Sequence, residues 1–102
     1  MPDTVFEKKG SLLTVKPKGR LDSAASALLD EELARQMDGV TEIIMDFEQV
    51  EYIASSGLRV LLAAEQKMEK CGGKMKLIHV NDYIVAIFDL VGFMDVITVE
   101  RG

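Results

Sequence analysis

The sequence is poor in the residues that build reactive centres. Its 102 residues include one cysteine, one histidine and no tryptophan. A lone cysteine cannot close a disulfide within the chain. Cys71, just ahead of Gly72-Gly73 at an expected helix end, reads as an inert thiol. One His79 and one Cys71 do not make a metal centre, which needs donors clustered at ligand spacing. The serines of "ASSGL" lack the G-x-S-x-G elbow of a hydrolase. Neither G-x-G-x-x-G nor a Walker loop occurs, so the usual nucleotide fingerprints are missing. An enzyme is therefore the least supported class, and no cofactor is expected. No apolar run approaches the roughly 20 residues that cross a bilayer. "MPDTVFEKKG" has no apolar signal-peptide core, so a cytoplasmic protein without membrane insertion is expected. Basic residues are also in deficit: 12 Lys and Arg against 17 Asp and Glu leave a net charge of -5. That balance repels nucleic acid and anionic lipid and attracts a partner with a basic patch.

What is present suits one globular domain over 1–102, expected to be a monomer when free. Hydrophobic residues make up 48% of the chain, enough to bury a core. "VFEKKGSLLTVKPKG" reads as two short strands around a turn at Gly10-Ser11, the second ended by Pro17 and Gly19. From "RLDSAAS" the period changes. Ala25, Leu28, Leu29, Leu33 and Met37 follow helical spacing, with Asp22 or Ser23 as cap and Gly39 as stop. "TEIIMDF", apolar at Ile43, Ile44 and Met45, predicts a central strand covered on both sides. A second helix follows to Gly72-Gly73, with Leu58, Leu61, Leu62 and Met68 on one face. "KMKLIHV" is a strand in which His79 is expected to face partly into the core. "NDYIVAIFDLVG" is a third helix, capped by Asn81 or Asp82, with Ile84, Ile87 and Phe88 inward; "DVITVE" is the last strand. Phe93 and Met94, after Gly92, extend either the core or an apolar surface. The order β-β-α-β-α-β-α-β implies an α/β domain with a mixed, largely parallel sheet and helices packed against it.

The stretch with functional content is "YIASSGLRVLL", Tyr52 to Leu62. Two hydroxyls stand where a helix begins, at the strand-to-helix edge where open α/β sheets usually carry function. A helix start exposes free N–H groups and partial positive charge. Serine there either caps the helix or presents a hydroxyl for modification. Between Leu58 and Ala64 only Arg59 is charged, so this segment is either buried all round or part of a partner surface. The starting end can also hold the phosphate of a weakly bound nucleotide.

Three segments in order, "GRLDSAAS", "IIMDFEQVEYIASSGLRVLL" and "CGGKMKLIHVNDYIVAIFDLVGF", resemble the STAS domain of the bacterial anti-sigma factor antagonist family. The resemblance covers nearly the whole chain, and the middle segment is the specific one. It implies a STAS-like domain that binds an anti-sigma factor which is also a serine kinase, so that a sigma factor is released. It also implies that the kinase phosphorylates one serine, which weakens the complex, and that a serine phosphatase restores it. On the family motif the acceptor is Ser55 and its neighbour is Ser56. Gly57 matches the glycine at a tight turn into the helix, and Asp22 and Asp46 match acidic positions near the acceptor. Partner contact is expected at Asp22, Asp46, Ser55, Ser56, Gly57, Leu58 and Arg59. One departure stands out. Many phosphorylated members have Asp before the acceptor, and this chain has Ala54. The alternative is a constitutive STAS interaction module without phosphorylation, such as a subunit of a transport assembly.

Overall fold

The computed structural model describes residues 4–102. Strands β1 (Val5–Lys9) and β2 (Leu12–Lys16) form an antiparallel hairpin turned at Gly10, whose φ of 60° suits glycine. Next come β3 (Gly19–Leu21), α1 (Ser23–Gln36), β4 (Glu42–Asp46), β5 (Val50–Ile53) and α2 (Ser55–Lys70). The chain continues through β6 (Lys74–Val80), α3 (Asp82–Leu90), a 3-10 turn (Phe93–Asp95) and β7 (Thr98–Arg101). The main sheet has the order β1-β2-β4-β6-β7, and every pairing beyond the hairpin is parallel. The expected mixed, largely parallel α/β sheet is thus present.

Register shows where the core lies. Leu13, Ile43 and Met75 stand in one row and Val15, Met45 and Leu77 in the next, and all six are buried. The side chains between them point the other way. On that second face Thr14, Ile44 and Lys76 are only half-buried, while Glu42 and Lys74 are exposed. The expectation that β4 is covered on both sides is therefore corrected. Its Ile43 face is covered, and Ile44 lies on a face left partly open.

Two elements go beyond the expected order. β3 and β5 pair with each other in parallel as a separate two-stranded sheet. At three and four residues they are too short to carry an alternating pattern, and β3 lies within the "PKGRLD" stretch that marks the end of β2. The Arg20 guanidinium lies 4.3 Å from the centre of the Tyr52 ring, a cation–π contact across this pair, while Leu21 and Ile53 point inward and are buried.

Helices α1 and α3 begin at side-chain caps. Asp22 accepts the Ala25 N–H at 2.9 Å, and Asn81 accepts the Ile84 N–H at 2.8 Å. Asn81 also donates to the Val50 carbonyl at 3.1 Å, which ties the start of α3 to β5. In α1 the buried stripe runs through Ser26, Leu29 and Leu33, so Leu28, one step round the helix, is exposed rather than inward. In α2 Leu61 and Met68 are buried, with Leu58 and Leu62 half-buried at the margin. In α3 Ile84 and Phe88 are buried and Ile87 only partly so. His79 does not face the core. It is exposed, with a φ of 57°, and the β6–β7 register shifts between Leu77 and Val80, which breaks the strand alternation on which the expectation rested.

Gly57 is the tightest point of this packing. It is the third residue of α2 and lacks the positive φ of a turn glycine, so the expected tight-turn role is corrected. A Cβ at Gly57 would sit 2.7 Å from Ile53 Cγ1 and 3.2 Å from Ser26 Oγ. Glycine is needed there because α2, β5 and α1 meet at van der Waals distance. Gly57→Val is expected to cost about 1–3 kcal/mol or more through overpacking, and Gly57→Ala less. Urea unfolding tests this; a Gly57→Val protein as stable as the parent would remove the close-packing account.

Candidate functional site

The Ser55 region is assembled by backbone bonds from separate segments. The Ala54 N–H donates to the Leu21 carbonyl at 2.9 Å, extending the β3–β5 pairing by one bond. The buried Ser26 hydroxyl donates to the same carbonyl at 3.3 Å. The Ala54 carbonyl in turn accepts the N–H groups of Gly57 and Leu58 at 3.0 and 3.1 Å, which starts α2. Asp22, next to Leu21, is thereby held at the edge where Ser55 begins its helix. Leu21 has a double role, since its side chain enters the core while its carbonyl takes both donors.

Ala54, with φ -86° and ψ 170°, occupies the cap position of α2 and makes no side-chain cap bond. Ser55 and Ser56 are therefore the first two helical residues, and neither is the cap. No acidic residue lies in the first turn of α2. The positive end of this helix has no carboxylate of its own. Ser55 is exposed. The Ser56 hydroxyl oxygen points inward, buried and without a hydrogen-bond partner among the described residues. Adjacent serines thus have opposite environments. Leu58 is half-buried and Arg59 is exposed, so the surface around Ser55 combines a hydroxyl, an apolar edge and a cation.

Of the expected site residues, Asp22, Ser55, Ser56, Gly57, Leu58 and Arg59 gather at this junction. Gly57 is buried, and the carboxylate of Asp22 is already engaged at the start of α1. Asp46 is placed differently. It follows Met45 on β4, so its side chain projects from the sheet face opposite the one that Met45 buries. There the Nδ1–H of His79 donates to Asp46 Oδ1 at 2.8 Å, and the Glu48 N–H donates to the same oxygen at 3.0 Å. Burial pushes the Asp46 carboxyl up. The bonds from His79 and Glu48, with the nearby charges of His79 and Lys16, outweigh it and leave the group below the usual aspartate range. The bond to Asp46 raises the His79 imidazole above the usual histidine range, against its lost hydration and with help from Glu48 and Glu100. This pair is a local anchor between β4 and β6, a role that the isolated His79 did not reveal in the sequence.

Two other features were not legible in advance. Ser26 gives no sign in "SAASALL" that its hydroxyl bridges to Leu21. The Arg20–Tyr52 contact joins residues 32 positions apart, through a strand pairing that no sequence pattern announces. Among the described residues no three His, Cys, Asp or Glu side chains gather to hold a metal ion, and no helix is long and apolar enough to cross a membrane.

The family model described as the STAS domain matches residues 3–101. BtrV of Bordetella bronchiseptica, provisionally named an anti-sigma factor antagonist, is 29% identical, with 95% of this chain and 84% of that protein aligned. The anti-sigma-B factor antagonist of Bacillus subtilis is 25% identical over 86% of this chain and 81% of its own length. Among solved structures, the Bacillus cell fate determinant SpoIIAA in its phosphorylated form superposes with a TM-score of 0.76 at 20% identity, covering 94% of this chain and 89% of that one. A match running from residue 3 to residue 101, on the fold just described, places the chain in the STAS domain family.

Proposed function

We propose that this protein is a cytoplasmic anti-sigma factor antagonist that binds, as a monomer, an anti-sigma factor with serine-kinase activity and so releases a sigma factor. Its relatives are named anti-sigma factor antagonists, which supports the role in outline. The observation that carries the finer reading is the exposure of Ser55 as the first residue of an uncapped helix, beside Asp22, Leu58 and Arg59. The partner-binding surface consists of Asp22, Ser55, Ser56, Leu58 and Arg59, with Gly57 as the close contact beneath it. Asp46 stands off this surface and serves the His79 anchor.

The switch follows from charge. The kinase transfers the γ-phosphoryl group of ATP to the Ser55 oxygen, the hydroxyl proton is lost, and ADP leaves. The phosphate brings about −1.5 to −2 charges to the surface. In the free protein the unfilled positive end of α2 accommodates it. In a complex the same group must be desolvated, and a loss of about 3 kcal/mol weakens binding more than a hundredfold. A serine phosphatase hydrolyses the phosphoester and restores the hydroxyl. Ala54 favours a second reading, because it lacks the carboxylate that many phosphorylated family members place there. On that reading the same surface binds its partner constitutively and Ser55 is never modified.

Two measurements separate these readings. With the cognate kinase and ATP, intact mass is expected to rise by one phosphate for the parent and not at all for Ser55→Ala. The mutant should also stay within about 1 kcal/mol of parental stability, because Ser55 is not the cap. Phosphorylation of Ser55→Ala would move the acceptor elsewhere; no phosphorylation of the parent would favour the constitutive module. Ser55→Asp is expected to bind the anti-sigma factor at least about tenfold more weakly. It should also melt no lower than the parent, since an acid at the first helical position suits the helix dipole. Unchanged affinity by calorimetry, for this variant and for Arg59→Glu, would place the binding face elsewhere.

A further inference from the structure

A groove of about 370 Å³ runs along the flank of α3, lined by Asp82, Val85, Ala86, Asp89, Met94 and Arg101. None of these residues belongs to α2 or to the Ser55 junction. Its lining is mixed: Asp82, Asp89 and Arg101 are charged, while Val85, which is buried, Ala86, which is open, and Met94 supply the apolar part. The chain beside it stays apolar and exposed, with Leu90 87% and Val91 52% accessible and Val96 exposed as well. Exposed apolar residues this close in sequence mark an interaction surface more often than scattered single ones do.

The groove is preformed. Ile84 and Phe88 anchor α3 in the core, and the Phe88 and Phe93 rings pack at 5.5 Å, which holds the 3-10 turn and Met94 in place. Arg101 Nη1 donates to Asp82 Oδ1 at 3.1 Å and closes one end. The rim is acidic. Arg101 pairs with Asp82, while Asp89 and the adjacent Asp95 are exposed. Asp82 and Asp89 lie two helical turns apart, about 10 Å along the axis. This charge pattern decides the occupant. A second copy would bring the same carboxylates against these, and an anionic lipid surface would be repelled.

We infer that the α3–β7 groove is a second docking surface, separate from the Ser55 face, for an amphipathic helix of a protein partner that inserts Leu-like side chains between Lys or Arg residues. The apolar side chains cover Ala86, Met94, Leu90 and Val91, and the cations meet Asp89 and Asp95. Electrostatic pairing at such a rim sets selectivity and rate, while the covered apolar area supplies most of the affinity.

The test uses the full 15N-labelled chain, titrated with a synthetic amphipathic helix of leucine and lysine and, separately, with its leucine–glutamate counterpart. Expected are amide shifts concentrated at Asp82, Val85, Ala86, Asp89 and Met94 with the lysine peptide alone. Asp89→Lys, an exposed substitution that leaves the fold intact, should weaken the lysine peptide about tenfold, and Ser55→Asp should leave it unchanged. Shifts centred on Ser55, equal binding of the glutamate peptide, or undiminished binding by Asp89→Lys would each overturn the assignment. Binding to phosphatidylcholine vesicles in place of the peptide would overturn it in favour of a lipid surface.

Discussion

The Leu21 carbonyl is the point on which the candidate surface depends. It accepts the Ala54 N–H and the Ser26 hydroxyl together, so one oxygen joins β3, the end of β5 and the first turn of α1. Gly57 then brings the first turn of α2 down onto Ile53 and Ser26. If that approach loosened, Ser55 would still be exposed, but Asp22, Leu58 and Arg59 would no longer be held around it. Buried polar groups left without partners cost about 1–3 kcal/mol each. Losing the Leu21 connection would strand both an N–H and a hydroxyl, so the arrangement resists partial opening.

On the proposed reading, stability and signalling are carried by neighbouring residues without conflict. Gly57 is buried and sterically fixed, whereas Ser55, two residues earlier, is exposed and takes no part in the cap. A modification at Ser55 changes charge in water and not packing in the core. The absence of a side-chain cap at Ala54 has the same consequence from the other direction, because the positive end of α2 is left available. The buried Ser56 hydroxyl, without a partner among the described residues, is a cost borne within that first turn, next to the close approach of Gly57 to Ile53.

The sequence carried the large elements well, because each rests on a strong local signal. The Gly10-Ser11 turn, the caps Asp22 and Asn81 and the glycine stops are chemical punctuation, and the apolar periods of α2 and β6 are long enough to count. What it did not carry depends on tertiary placement. β3 and β5 are too short for a period, and they exist because they pair with each other. Ile44 is as apolar as Ile43, so composition could not say that one face of β4 is covered and the other only partly. His79 alternated correctly with Leu77 until the register shift beyond Leu77 turned it outward to Asp46. At the candidate site, the motif pointed to Ser55 and its neighbours, but did not reveal that Ala54 holds the cap position or that Asp46 bonds His79.

That last displacement separates two acidic groups that the motif had set together. Asp22 lies on the helix side with its carboxylate bonded to the Ala25 N–H, and Asp46 lies on the other side, paired with His79. A phosphate at Ser55, if the proposed switch operates, would have Asp22 as the carboxylate on its own side of the sheet, already committed to a helix start. On that proposal, repulsion from two converging acids would not be what drives a complex apart. The larger effect is desolvation: a dianion that water and a helix terminus hold comfortably has no equivalent environment inside an interface made with Leu58. A switch of this kind depends little on the particular acids around it and strongly on how dry the partner makes the surface. The acidic residues of the chain are then free for other contacts, such as the one proposed along the flank of α3.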